Sequence, residues 1–127
     1  MHEWSIVESL LREADRHVRA HGARSVRRLH VQIGELAGVE VPLLESAYAS
    51  FRERSCCEHA ALTVEAVPAR WHCAHCACQR PRGTRLRCDR CGGPLRLAGG
   101  DEIVLARIEM EVDAHPATGA GRAEETP

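Results

Sequence analysis

The chain has 127 residues, 44% of them apolar but only four aromatic, and its 17 basic and 18 acidic side chains leave a formal charge of −1. That length suits one modest domain with an insertion rather than two full cores, and near-neutrality excludes polyanion binding by bulk charge. No window approaches the ~18 apolar residues of a membrane span and no charged-then-apolar leader opens the chain, so the expected location is cytoplasmic, where seven Cys read as metal ligands or free thiols rather than disulfides.

The first element is a helix from the start of the chain to Gly22, which serves as its C-cap. Trp4, Val7, Leu11, Ala14 and Val18 recur at helical steps, Ile6 and Leu10 widen the stripe, and Glu8, Arg12, Asp15, Arg16 and Arg19 take the wet face. From Ser25 the period changes to two: Leu29, Val31 and Ile33 face one way and Arg28, His30 and Gln32 the other, a strand broken by Gly34 and Gly38. Pro42 opens a second helix, with Leu44, Ala47, Tyr48 and Phe51 as its apolar stripe. A loop carrying Cys56 and Cys57 follows, then a strand over 61–67. The last strand spans 101–112, where Val104, Ala106, Ile108, Met110 and Val112 alternate with Leu105, Arg107, Glu109 and Glu111. Residues 114–127 show no periodicity and read as a disordered tail.

Between the last two strands lies the most specific signal in the chain. Cys73 and Cys76 form one Cys-x-x-Cys pair, Cys88 and Cys91 a second, and eleven residues separate them. Two such knuckles close on one tetrahedral ion, so the four thiolates form a structural zinc site with no open position for catalysis. Gly92 and Gly93 allow the turn after the second pair. The segment carries Trp71, Leu86, Leu95 and Leu97 as its large apolar residues, too few for a core without a metal. The expected fold is α+β: two helices packed on a three-stranded sheet, with an inserted zinc-ribbon-like domain built on the four cysteines. In residue terms, 1–68 and 98–113 form the main domain and 69–97 the insertion, and the two strands flanking the insertion are expected to pair antiparallel.

The start of the chain is a second candidate. The Met1 amine, the amide nitrogens of His2 and Glu3, and the His2 imidazole can surround Ni(II) or Cu(II) in a plane of nitrogens. The first N–H groups of a helix have no intrahelical acceptor, so using them as ligands breaks no helical bond, and the helix dipole favours an unprotonated amine. Glu3 would add a carboxylate ligand or hold the imidazole.

The opening MHEWSIVESLL, the segment RLHVQIGELAGVEVPLLESAYASF, the strand ALTVEAVPA running into CAHC, and the late CDRCGG together resemble the HypA/HybF family of nickel metallochaperones, over a stretch from Met1 to about Val112. The resemblance implies a non-enzymatic carrier: His2 as principal nickel ligand with Met1 and Glu3 beside it, zinc on Cys73, Cys76, Cys88 and Cys91, and delivery of nickel to the [NiFe]-hydrogenase large subunit with a HypB-type GTPase. Some members of that family also serve urease maturation.

Cys78 reads as a surface thiol or a competitor of Cys76, His72 and His75 as solvated, alternative or relay groups, and Cys56 and Cys57 have no assigned role. Three other functions compete. Seven Arg against one acid, Asp89, between Ala69 and Leu97 would suit a nucleic-acid-binding zinc ribbon, though one aromatic offers no stacking ladder. Such a basic lobe equally steers an acidic protein partner. A thiol oxidoreductase would need its Cys-x-x-Cys at a helix start, and a hydrolase would need a nucleophile with a base nearby.

Overall fold

The computed structural model describes residues 2–115 and 119–125. Met1 and the tail residues 116–118 and 126–127 lie outside them. In chain order the elements are α1 (Glu3–His21), β1 (Ala23–Gly34), α2 (Val41–Phe51), β2 (Ala61–Val67), β3 (Arg70–Cys73), β4 (Cys78–Arg80), a 3-10 turn (Thr84–Leu86), β5 (Leu95–Gly99), β6 (Ile103–His115) and β7 (Gly119–Glu125).

The helices form for the reasons their sequence gives. Ile6, Val7, Leu10, Ala14 and Val18 are buried along one side of α1, and Gly22 closes it at φ 62°, its N–H donating to the carbonyls of Val18 and Arg19. Proline stands in the first turn of α2, where no intrahelical donor is lost, and Leu44 and Tyr48 are its buried residues. Two aromatics expected in the buried stripes are half exposed instead: Trp4 at 48% and Phe51 at 46%. Each lies in a terminal turn of its helix, Trp4 in the first of α1 and Phe51 in the last of α2.

Two sheets are present. The larger has the order β2-β1-β6-β7, and the smaller β4-β3-β5. β2 and β6, which flank the insertion, therefore do not pair with each other; β1 lies between them. Burial gives the physical reason. β1 buries Val26, Leu29, Val31 and Ile33 and suits the interior of the sheet, whereas no residue of β2 is fully buried, as befits an edge. The three expected strands are thus β2-β1-β6, and a fourth comes from the tail. Residues 119–125, read from sequence as disordered, pair antiparallel with β6 from Ile108↔Glu125 to Val112↔Gly121. Backbone groups make this pairing, so it needs no hydrophobic alternation and left none in the sequence.

By internal contacts the chain divides into two compact units, one of residues 1–32, 39–65 and 104–127, the other of 33–38 and 66–103. The first unit holds α1, α2 and most of the larger sheet, and its interior is aliphatic: Val7, Leu29, Leu44, Ile108 and Met110 are fully buried. In the second unit, β3 pairs antiparallel with β4 and with β5, and Cys73, Cys88 and Leu95 form a small buried cluster with Trp71 and Cys76 packed on it.

Candidate metal sites

The second unit builds the thiol site from two matching turns. β3 ends at Cys73, and the chain turns through Ala74 and His75 to Cys76 before returning as β4, with Cys73 and Cys78 opposite in register. The second turn, Cys88 to Cys91, is closed by paired backbone bonds: the Gly92 N–H donates to the Cys88 carbonyl and the Cys88 N–H to the Gly93 carbonyl, both at 2.8 Å. In each turn the residue after the second Cys is left-handed, Ala77 at φ 53° and Gly92 at φ 73°. Gly92 is legible in the sequence as a turn residue, and Ala77 is not.

Among the described residues, Cys73, Cys76, Cys88 and Cys91 are the group able to hold an ion, with all four sulfurs within 4.8 Å of one another. Cys73 and Cys91 are 3.4 Å apart and Cys76 and Cys88 3.9 Å. A tetrahedron with Zn–S bonds of about 2.3 Å has sulfur separations of about 3.8 Å, so the donor set fits zinc in number, softness and spacing. Backbone N–H groups aim at the sulfurs: that of Cys76 at Cys73 Sγ, 3.4 Å, and that of Gly93 at Cys91 Sγ, 3.3 Å.

Crowding four thiols together splits their proton affinities. Cys88 is lowered to about 6, first by the backbone N–H of Cys91, and further by that of Arg90 and by the Arg80 guanidinium. Cys76 is pushed up to about 12 by desolvation and then by the neighbouring thiols. Like charges so close cannot all form alone, and a divalent cation is what lets every sulfur ionise together. Arg80 is a residue that spacing alone did not reveal: it is held by Asp89 at 2.8 Å and lies against Cys88.

Cys78 is exposed and outside the four-sulfur group. His72 lies in β3 opposite Gln79 and Arg96, and His75 is exposed in the first turn. Three arginines of this unit, Arg70, Arg80 and Arg82, line a groove of about 380 Å³ together with Glu35. Trp71, half-buried against the Cys73–Cys88–Leu95 cluster, also lines this groove, and Arg80 is paired with Asp89.

Residues 33–38 belong to this unit through backbone bonds. The N–H groups of Gly34, Glu35 and Leu36 donate to the carbonyls of Glu102, Val67 and Gly100, each at 2.8 Å, and the Glu35 carboxylate accepts the Ala69 N–H at 2.9 Å. A Cβ on Gly34 would stand 2.3 Å from the Gly100 carbonyl carbon, so the backbones approach too closely for any side chain there.

At the start of the first unit, His2 is the N-cap of α1, extended at φ −78° and ψ 146°, with its carbonyl accepting the Ser5 and Ile6 N–H groups at 3.0 and 3.3 Å. The N–H groups of His2 and Glu3 precede these first helical donors. The exposed His2 imidazole lies nearly parallel to the Trp4 ring, 6.3 Å between centroids. The Glu3 carboxylate accepts the Glu40 N–H at 3.3 Å, which ties the first turn of α1 to the N-cap of α2. That contact spans 37 residues and left no local signal.

Comparison with known proteins agrees with this architecture. The profile of a family described as "Hydrogenase/urease nickel incorporation, metallochaperone, hypA" matches residues 1–110. The chain is 37% identical over 116 residues to a hydrogenase maturation factor HypA of Wolinella succinogenes, covering 89% of this chain and 98% of that one. It is 36% identical over 115 residues to the HypA of Aquifex aeolicus, covering 89% and 100%. Its fold is similar to the solution structure of the Ni metallochaperone HypA from Helicobacter pylori, with TM-score 0.69, 29% identity and coverage of 89% and 100%.

Proposed function

The chain belongs to the HypA family of hydrogenase and urease nickel-incorporation metallochaperones, and from that premise we propose that it captures Ni(II) at its N-terminus and delivers it to the large subunit of a [NiFe]-hydrogenase. The observation that carries the reading is the extent of the family match, which runs from residue 1 to 110 and so includes both His2 and the four cysteines. His2 supplies the imidazole, and the Met1 amine with the adjacent amide nitrogens completes a square of donors that suits Ni(II). Support comes from the place of His2, exposed and ahead of the first helical donors, where its ring and the neighbouring amides are reachable without unwinding α1.

Glu3 acts as a positioning residue in this reading. Its carboxylate is engaged by the Glu40 N–H, so it fixes the direction in which α1 begins. Zinc on Cys73, Cys76, Cys88 and Cys91 supplies a fixed crosslink that shapes the second unit. The chain is a carrier rather than a catalyst, works in the cytoplasm, and hands nickel on with a HypB-type GTPase, or with urease maturation proteins where urease is the target. A nitrogen set of this kind prefers Cu(II) to Ni(II), so selectivity comes from metal supply and from the partner that triggers release.

Titration of nickel into the untagged chain, into His2→Ala, and into a chain lengthened by a few N-terminal residues tests the reading. Nickel uptake is expected in the first and lost in the other two, with zinc content the same in all three. Undiminished uptake by either altered chain would overturn the N-terminal site.

A further inference from the structure

Cys56 and Cys57 stand outside the four-sulfur cage, in the turns between α2 and β2, within the first unit. Their sulfurs are 3.8 Å apart. The backbone that carries them is pinned on several sides. The Cys56 carbonyl accepts the Val26 N–H of β1 at 2.9 Å, and the Cys57 N–H donates to Ser55 Oγ at 3.0 Å. Ser55 Oγ in turn donates to the Arg52 carbonyl at 2.5 Å, and the Tyr48 hydroxyl donates to the Ala60 carbonyl at 2.9 Å. Two nucleophilic groups are thus fixed side by side, one partly exposed and one fully buried.

Their roles differ. A hydrogen bond from Cys57 lowers the proton affinity of Cys56, against desolvation and the Asp15 carboxylate, while that bond and then burial hold Cys57 protonated. Cys56 is therefore the ionisable, reachable thiol and Cys57 a shielded second one. We infer that Cys56 and Cys57 form a reversible vicinal dithiol–disulfide pair, a redox modification site of the first unit that small-molecule disulfides oxidise.

The Cys56 thiolate attacks one sulfur of a disulfide RSSR, making the bond Cys56–S–S–R and releasing RS⁻. That RS⁻ takes the Cys57 proton. The Cys57 sulfur then attacks the Cys56 sulfur, forming the Cys56–Cys57 bond and expelling the second RS⁻, which is protonated from solvent. Two electrons leave the protein thiols, and RSSR becomes two RSH. The sulfurs must close from 3.8 Å to about 2.05 Å, which draws Cys57 from its place beside Tyr48. A bridge between adjacent residues closes almost no loop and hardly restrains the unfolded chain, so the oxidised form is the less stable one and returns readily to the dithiol.

The test uses the full zinc-loaded chain with Cys78→Ser, treated with 2-hydroxyethyl disulfide, quenched in acid and digested with trypsin. The peptide of residues 55–70 contains Cys56 and Cys57 and no other cysteine. It is expected to lose about 2 Da, to regain them with dithiothreitol, and to do so while zinc stays bound. The treated protein is also expected to melt a few degrees lower. In Cys57→Ser the reaction should stop at a mixed disulfide on Cys56. A fully reduced 55–70 peptide, or a Cys56 adduct that persists in the chain with both cysteines, overturns the proposal. So does an absence of any adduct in Cys57→Ser, since Cys56 would then not be the attacking thiol. Should that variant fail to fold, the mass of the peptide with both cysteines still decides.

Discussion

Replacing Glu109 with Gln probes the polar centre of the larger sheet. The side chain is only 6% exposed and three cationic or potentially cationic groups converge on its Oε2: His30 Nε2 at 2.5 Å, an Arg107 terminal nitrogen at 3.2 Å and Arg28 Nε at 3.8 Å. At 2.5 Å from a carboxylate, His30 Nε2 carries the proton and donates, so the 3.0 Å approach of Arg107 to the same nitrogen is a contact, and Arg107 donates to the carboxylate. Gln keeps the shape and removes the charge. A hydrogen bond to a charged buried group contributes about 1.5 to 3 kcal/mol, while the two arginines, each more than 40% exposed, add less than about 1 kcal/mol apiece after solvent screening. The sum is about 3 kcal/mol, or a melting temperature lower by roughly 10 °C. Glu111 is the internal control. It lies two residues along β6, is 33% exposed, and meets Arg27 at 3.0 Å, so Glu111→Gln is expected to cost about 0.5 kcal/mol. Thermal unfolding of both variants at low and high salt separates the two effects: the Glu111 loss should shrink most of the way, whereas the Glu109 loss should shrink only by the part that its two exposed arginines contribute. If Glu109→Gln melts no lower than Glu111→Gln, the buried carboxylate does not hold the sheet as argued.

Other expectations concern the second unit. Arg80→Gln removes one of the groups that keep Cys88 ionised, while the backbone N–H donors remain, so zinc affinity near neutral pH should fall about tenfold, the low end for a group behind the ligands. The sign with pH follows from the direction of the shift: without Arg80 the Cys88 value rises from about 6, protons compete where they formerly did not, and the deficit should close as pH rises past the ordinary thiol range. Competition with a chromophoric chelator between about pH 6 and 9 checks both, and a deficit that grows with pH would contradict the argument. Gly92→Ala and Gly34→Ala should differ sharply. The first meets open space at φ 73° and is expected to cost about 1 to 2 kcal/mol, whereas the second drives a Cβ into backbone 2.3 Å away and should abolish soluble expression or leave the protein unfolded by circular dichroism.

What the sequence carried was local. Cysteine spacing, the αL glycine after α1, the proline of α2 and the two hydrophobic periods are properties of short windows, and each corresponds to an observed turn, cap, helix or strand. What it did not carry was the choice of distant partners. β1 rather than β2 lies beside β6, because hydrogen-bond pairing is decided by which strands are buried on assembly. β3, β4 and β5 have three to five residues each, too short for a period to register. The Glu3–Glu40 bond and the grouping of 33–38 with 66–103 depend on contacts far apart in the chain, with no change of composition to announce them. Ala77 takes a left-handed angle that its side chain gives no reason to expect, imposed by closing the first thiol turn.

The partition of the chain has a consequence for biosynthesis. The polypeptide passes from one unit to the other after residues 32, 38, 65 and 103, so neither is a continuous stretch that could ripen alone. When the ribosome has released residues 1–100, the segment containing all four cage cysteines is out, yet β1 still lacks its neighbour β6. A nascent chain therefore has its four clustered thiols available to a metal before β1 has gained the neighbour that completes its side of the larger sheet.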